Sequence, residues 1–242
     1  MKSSVEQIRQ RFDKDVERFS NLEVGHSAII DSPLMLDLLT KAAAAVTPGA
    51  VSLLDIGSGA GNYSLKMLQA IPGLQITLVD LSQAMLERAV ERLQPATTGA
   101  VVAVQGDIRE LELGVGQFDL ILAGAVFHHL RSDEEWQAVF AKCYRALRPG
   151  GSMWIADMIE HSTAAIQALM WLRFGDYLTT LRDEAYRQQV FAYIAQEDTP
   201  RPLLYQLDLL RTVGFVQVEI LHKNSCFAAF GGLKSGLGIT DP

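Results

Sequence analysis

An apolar run that stops at an aspartate-containing edge and turns through three closely spaced glycines constrains this chain more than any other feature. VSLLDI (51–56) reads as a short buried strand, Gly57-Ser58-Gly59-Ala60-Gly61 as a tight turn, and NYSLKMLQAI as the amphipathic helix that follows. A strand that passes through glycines into a helix leaves backbone N–H groups free to meet a ligand, and the missing side chains allow close approach. Taken alone, such a turn is also a plain tight connection, so its meaning depends on the rest of the chain.

The rest repeats the same alternation. LQITLVD (74–80), AVVAVQG (100–106), FDLILAG (118–124) and SMWIADM (152–158) read as further strands, separated by the helical stretches SQAMLERAVERL and DEEWQAVFAKCYRAL. Strands alternating with helices predict right-handed crossovers and a largely parallel sheet covered on both faces. The expected fold is α/β, a Rossmann-like doubly wound sheet, mostly parallel with a C-terminal antiparallel strand. Around the core at 50–160 we expect a helical cap at 1–47 and a helical lid insert at 161–200. A final helix and strands should occupy 201–232, with Lys223-Asn224 joining the last two strands, and a flexible tail 233–242. In the cap, Val5, Ile8, Phe12, Val16 and Phe19 lie three or four residues apart and predict one helical stripe.

Three aspartates stand at successive strand ends. Asp80 lies about twenty residues after the glycines, where a carboxylate accepts both ribose hydroxyls of a nucleoside. Asp107 follows the third strand, where a carboxylate receives an adenine amino group while Ile108 packs on the ring. Asp55 precedes the first glycine by two residues and can face a cationic amino-acid head group. Each aspartate alone is as well explained as a helix cap or a solvent contact; the series is harder to obtain by chance. A nicotinamide dehydrogenase competes for this turn, but its fingerprint is GxGxxG, whereas here the glycines are spaced GxGxG and Asp55 replaces an apolar residue.

These segments resemble the class I S-adenosylmethionine (SAM)-dependent methyltransferases. LLDIGSGAGNYSL is similar to their first motif, VDLSQAMLERA to the second, GDI to the third, FDLILAGAVFHHL to the fourth, and LRPGGSMWIAD to the turn and fifth strand. The resemblance covers roughly 50–160 and implies SAM as cofactor and S-adenosylhomocysteine (SAH) as product. It implies that Gly57, Ser58, Gly59 and Gly61 line the methionine part, with Asp80 on the ribose. Leu81 and Met85 would border ribose and adenine, Asp107 and Ile108 would hold the adenine, and Ala123, Gly124 and Ala125 would pass beside the sulfonium. The whole layout is also similar to the carboxy-SAM synthase branch, a non-methylating alternative. The first motif lacks that branch's Cys-Ser-Leu variation, and the late helix offers only Arg211 as a carboxylate clamp. A regulatory protein that binds SAM without transfer is a third reading.

Methyl transfer needs alignment, exclusion of water and sometimes removal of a proton. His128 and His129 follow the fourth strand, at the substrate-facing edge, and an imidazole titrates near neutrality; packing under the next helix is the plainer reading of either. Phe12 and Phe19 are expected to cover the cofactor. Trp171, Phe174 and Tyr177 fall on one helical face and suggest a flat or apolar small-molecule acceptor, although packing against the sheet explains them equally well. Asp157, Glu160 and His161 lack convincing ligand spacing, so no metal is expected.

Composition closes off other classes. The net charge of −7 argues against a general nucleic-acid binder, whose affinity comes from Lys and Arg. Arg9, Arg11, Lys14 and Arg18 are interleaved with acids and read as a solvated face. No apolar run approaches the roughly 18–20 residues of a membrane span, and the polar N-terminus has no signal-like apolar core. Cys143 and Cys226 stand far apart without a CxxC partner, which suits a reducing cytoplasm. The sequence leaves the oligomeric state open, a homodimer included.

Overall fold

The computed structural model describes residues 2–21 and 25–236. Its strands are β1 (Ser52–Ile56), β2 (Gln75–Asp80), β3 (Val101–Gln105), β4 (Phe118–Gly124), β5 (Leu147–Met158), β6 (Phe215–Asn224) and β7 (Phe227–Lys234). They form one seven-stranded sheet in the order β3-β2-β1-β4-β5-β7-β6. The strands β1 to β5 pair in parallel, whereas β7 runs antiparallel to both β5 and β6. The chain winds outward from β1 through β2 to β3, then returns to place β4 on the other side of β1. A crevice therefore opens beyond the carboxyl ends of β1 and β4, the usual ligand position in such sheets.

The pleat sends alternate residues to opposite faces, and each face has its own apolar core. Leu53, Leu120 and Leu122 pack on one face with Met35, Leu39, Met67 and Leu86. Leu54, Ile121 and Ala123 pack on the other with Trp136, Phe140, Leu207 and Leu210. The covering helices are α1 (Val5–Phe12), α2 (Val16–Ser20), α3 (Ser32–Val46), α4 (Asn62–Ala70), α5 (Gln83–Leu93), α6 (Asp133–Ala146), α7 (Ala164–Leu181), α8 (Glu184–Glu197) and α9 (Leu203–Val213). The helical insert expected over 161–200 is thus α7 and α8. Side-chain caps start several helices: Ser82 on α5, Ser132 on α6 and Asp183 on α8 each accept a bond from the third residue on.

Three expectations are corrected. The N-terminal stripe is two helices, not one. At the break, Asp13 Oδ1 accepts Ser82 Oγ at 2.6 Å, and the N–H groups of Lys14 and Asp15 bond three residues back. That tertiary bond overrides a helical pattern that would otherwise continue. The last hairpin turns at Ser225-Cys226, with Asn224 opposite Phe227. Ser225 takes φ 50° there, held by its Oγ donating to Met170 O at 2.8 Å. The expected tail begins later than 233, because Leu233 and Lys234 belong to β7; residues 237–242 lie outside the described residues. Both cysteines are free and buried. Among the described residues, no helix is long and apolar enough to cross a membrane.

Candidate active site

The glycine turn closes the end of β1 through backbone bonds: Gly57 and Ser58 both donate to Val79 O, at 2.8 and 3.1 Å. Gly57 takes φ +65°, and a Cβ there would stand 2.6 Å from the Val126 side chain. Gly59 takes φ +48° and has open space where a Cβ would be. One glycine is thus required by packing and the other faces the crevice. Gly57→Ala is expected to lower Tm by roughly 5 °C or more, because it combines a positive φ with a clash. It should weaken SAM binding as well, since the turn must shift; wild-type values of both in a thermal-shift titration would contradict this.

A cavity of about 280 Å³ lies above the turn. Gly57, Ser58, Gly59, Asp80, Leu81, Met85, Asp107, Ile108, Gly124 and Ala125 line it, as do Phe12, Phe19 and His129. Asp55, Gly61 and Ala123 are not among its lining residues. Asp55 is 1% exposed behind the turn, with Oδ2 accepting Ser64 Oγ at 2.6 Å. Burial pushes its carboxyl up to about 7 against the bonds from Ser64. Asp80 accepts Gly59 N at 2.8 Å and Ser82 N at 2.9 Å, while burial raises its carboxyl in spite of them. Asp107 is turned onto Arg109, whose Nε lies 2.9 and 3.0 Å from its two oxygens, so its expected adenine contact must share the carboxylate. Ser58 Oγ is buried without a hydrogen-bond partner among the described residues.

A second cavity of about 300 Å³ adjoins the first and shares Phe12, Phe19, His26, Tyr63, Ala125 and His129 with it. Ala125 sits at φ 52°, a strained conformation for a residue with a Cβ. Phe174 and Phe227 line the apolar part, with Tyr186 and Tyr193. Trp171 and Tyr177 line neither cavity: Trp171 packs edge-on against Phe191 with centroids 4.9 Å apart, and Tyr177 Oη donates to Ser27 O at 2.7 Å. Arg211 also lies away from both, paired with Asp208.

The polar end of this second cavity gathers His128, His129, Asp157 and Asp198. Asp157, at the end of β5, bonds His128 Nδ1 through Oδ1 and takes the Phe127 and His128 N–H groups, at 2.8 and 3.3 Å, through Oδ2. Asp198 Oδ1 lies 3.7 Å from His128 Nε2 and 3.3 Å from His129 Nδ1. Burial disfavours a charged His128, yet Asp157 and Asp198 outweigh it and push the ring up to about 9. Burial and the neighbouring His128 hold His129 below its ordinary value. His26, pushed down to about 4 by burial and by Arg18, stays neutral around pH 7.

Sequence reasoning singled out neither His26 nor Asp198, and gave Asp157 no role beside His128. Asp157 carried a usable signal, as a carboxylate at the carboxyl end of a strand. Asp198 carried almost none, because it is the residue after α8 in an insert with no motif. The cap and insert meet above the site: Ser3 Oγ donates to Glu197 at 2.6 Å and Arg11 pairs with Glu197 at 2.7 Å.

Comparison with known proteins finds methyltransferases. Residues 53–151 match the family described as "Methyltransferase domain". The chain is 26% identical over 191 residues to a demethylmenaquinone methyltransferase of Lactococcus lactis subsp. lactis, covering 76% of this chain and 74% of that one. The fold is similar to an O-methyltransferase family protein from Burkholderia thailandensis, with TM-score 0.66 at 17% identity over 94% of this chain and 62% of that one. It is also similar to human N-acetylserotonin methyltransferase in complex with SAM, with TM-score 0.61 at 16% identity over 96% of this chain and 59% of that one. The cavity fits SAM on its own features: an open face at Gly59, and an orphaned Ser58 hydroxyl.

Proposed function

We propose that this chain, a class I SAM-dependent methyltransferase, moves the methyl group onto a small, largely apolar acceptor held in the second cavity. The observation that carries this reading is the shared wall. Ala125 and His129 border both cavities, so a donor in one and an acceptor in the other can meet there. SAM supplies an electrophilic methyl carbon on a sulfonium, which leaves as a neutral thioether. The protein's part is to hold and orient. In this reading Gly57, Ser58 and Gly59 cradle the amino-acid part and Asp80 takes the ribose hydroxyls. Leu81, Met85 and Ile108 enclose the flat part of the cofactor, and Phe12 and Phe19 keep water out. Positioning of this kind supplies much of the rate gain.

The acceptor's heteroatom or acidic carbon faces the polar end formed by His128, His129, Asp157 and Asp198. Its lone pair forms the new bond to the methyl carbon while the carbon–sulfur electron pair stays on sulfur. Any proton on the attacking atom leaves into the His129–Asp198 side of the cavity. Both nitrogens of His128 face carboxylates, so it serves to hold this end in shape, and His129 is the imidazole next to the acceptor. The aromatic lining supports flat acceptors such as phenols and quinols. The name of the Lactococcus relative points in the same direction.

Saturating SAM or SAH is expected to raise Tm by roughly 5–10 °C, from about 2.7 kcal/mol at a hundredfold excess over Kd. A panel of phenols, enolisable carbonyl compounds and amines should then yield SAH release with at least one flat acceptor. Tight SAM binding with no SAH from any of them would favour a purely regulatory SAM-binding protein.

A further inference from the structure

We propose that His128, His129 and Asp198 form a binding site for one divalent transition-metal cation at the polar end of the second cavity. The proposal rests on the reading of that cavity as the acceptor site, and it departs from the sequence expectation of no metal. One ligand atom from each of the three residues lies within 4.8 Å of the others. Asp198 Oδ1 stands 3.3 Å from His129 Nδ1 and 3.7 Å from His128 Nε2. A tetrahedral cation with bonds near 2.0–2.1 Å sets its ligand atoms about 3.3–3.4 Å apart, so Asp198 already stands near the required distance from both histidines.

A second observation points to a ligand. Asp198 is 5% exposed, and both its Oδ1 and His129 Nδ1 are buried without a hydrogen-bond partner among the described residues. Two such atoms face each other without the alignment of a hydrogen bond, and a buried polar atom is expensive to leave unpaired. A cation between them would satisfy both. The supporting contacts have the form of a metal site too. Asp157 takes His128 Nδ1 and is itself held by three backbone N–H groups, from Phe127, His128 and Met158. That bond holds the ring with Nε2 toward Asp198, and a cation bound there would displace the Nε2 proton, the usual carboxylate–histidine–metal arrangement. Thr199 N donates to His128 O at 2.7 Å, which ties the segment bearing Asp198 to the segment bearing the histidines.

Two imidazoles and one carboxylate suit zinc or another late divalent transition metal; magnesium and calcium favour all-oxygen sets. Three protein ligands leave a position open, and here that position faces the cavity. An acceptor oxygen or nitrogen bound there would be held toward Ala125 and the methyl donor.

The test uses the full chain, stripped with a chelator and titrated with Co²⁺ as an optical probe and Zn²⁺ by calorimetry. One ion per chain is expected, with the visible bands of four-coordinate cobalt. Asp198→Asn and His129→Gln should abolish stoichiometric binding. Asp157→Asn should weaken it by about 10–100-fold while leaving the three ligands in place. A retained thermal shift with SAM reports that each variant is folded; if Asp198→Asn does not fold, the other two carry the comparison. A flat titration of the wild-type chain, or binding undiminished in the folded variants, overturns the proposal. A flat titration alongside SAH release with an acceptor would remove the cation and leave methyl transfer standing. Stoichiometric cation binding without any methylated acceptor would do the reverse.

Discussion

His129→Ala is expected to lower kcat by about 100-fold or more, the range over which a positioned proton-handling group contributes, while the Kd for SAM changes less than about threefold. The side chain lies where the two cavities meet, with its ring 6.2 Å from Phe12 and its Nδ1 3.3 Å from Asp198. The glycine turn and Asp80, which should carry most of the cofactor affinity, do not depend on it. His128→Ala should behave differently. Its ring is the partner of the fully buried Asp157 side chain, and removing one member of a buried ion pair costs about 3–5 kcal/mol. That variant should lose roughly 10 °C in Tm as well as activity. The two alanine variants, compared by Tm, SAM titration and single-turnover rate, separate the group that meets the acceptor from the group that holds the site together. Equal loss of SAM affinity in His129→Ala would move that residue into the cofactor site and remove it from acceptor chemistry.

The parts of this site legible in the sequence are those made by local rules. Val51 to Gly61 read as strand and turn because β1 is buried on both faces and a positive φ at Gly57 needs glycine. Asp80 and Asp107 could be placed because a parallel sheet puts successive strand ends on one edge. The acceptor side follows no such rule. Trp171, Phe174 and Tyr177 share one face of α7, yet only Phe174 reaches the cavity, because α8 and the segment at Ser27 take the other two. Helical spacing says which residues share a face, not what covers it. The break at Asp13 and the arrival of Asp198 beside the histidines are long-range contacts, to Ser82 and to His128 and His129, which no periodicity encodes.

Asp55→Asn is expected to stabilise the cofactor-free protein and weaken SAM binding in the same molecule. Burial pushes the Asp55 carboxyl up to about 7, whereas in the unfolded chain it titrates near 4. The folded value is the higher one. This group's contribution to stability is therefore fully present below pH 4 and is lost as pH rises through 7, because the folded state must then carry a buried charge. The loss is bounded by about 4 kcal/mol, which in a chain of this size corresponds to roughly 10 °C. Asparagine keeps an acceptor for Ser64 Oγ and has no proton to release, so its Tm should exceed that of the wild type by a margin that grows from about pH 4 to 7 and levels off above. Parallel Tm curves would show that Asp55 does not titrate in this range. The cofactor reverses the sign. A cationic head group near the ionised carboxylate favours the charged form, so SAM should bind the wild type more tightly as pH rises toward 7 and release a proton below it. The asparagine variant should lose that pH dependence and bind SAM about tenfold more weakly, the order expected for one interaction with a charged group. A pH dependence of SAM binding present in the wild type and absent from the variant would assign to one buried carboxylate both the lower stability of the empty fold and a part in holding the cofactor.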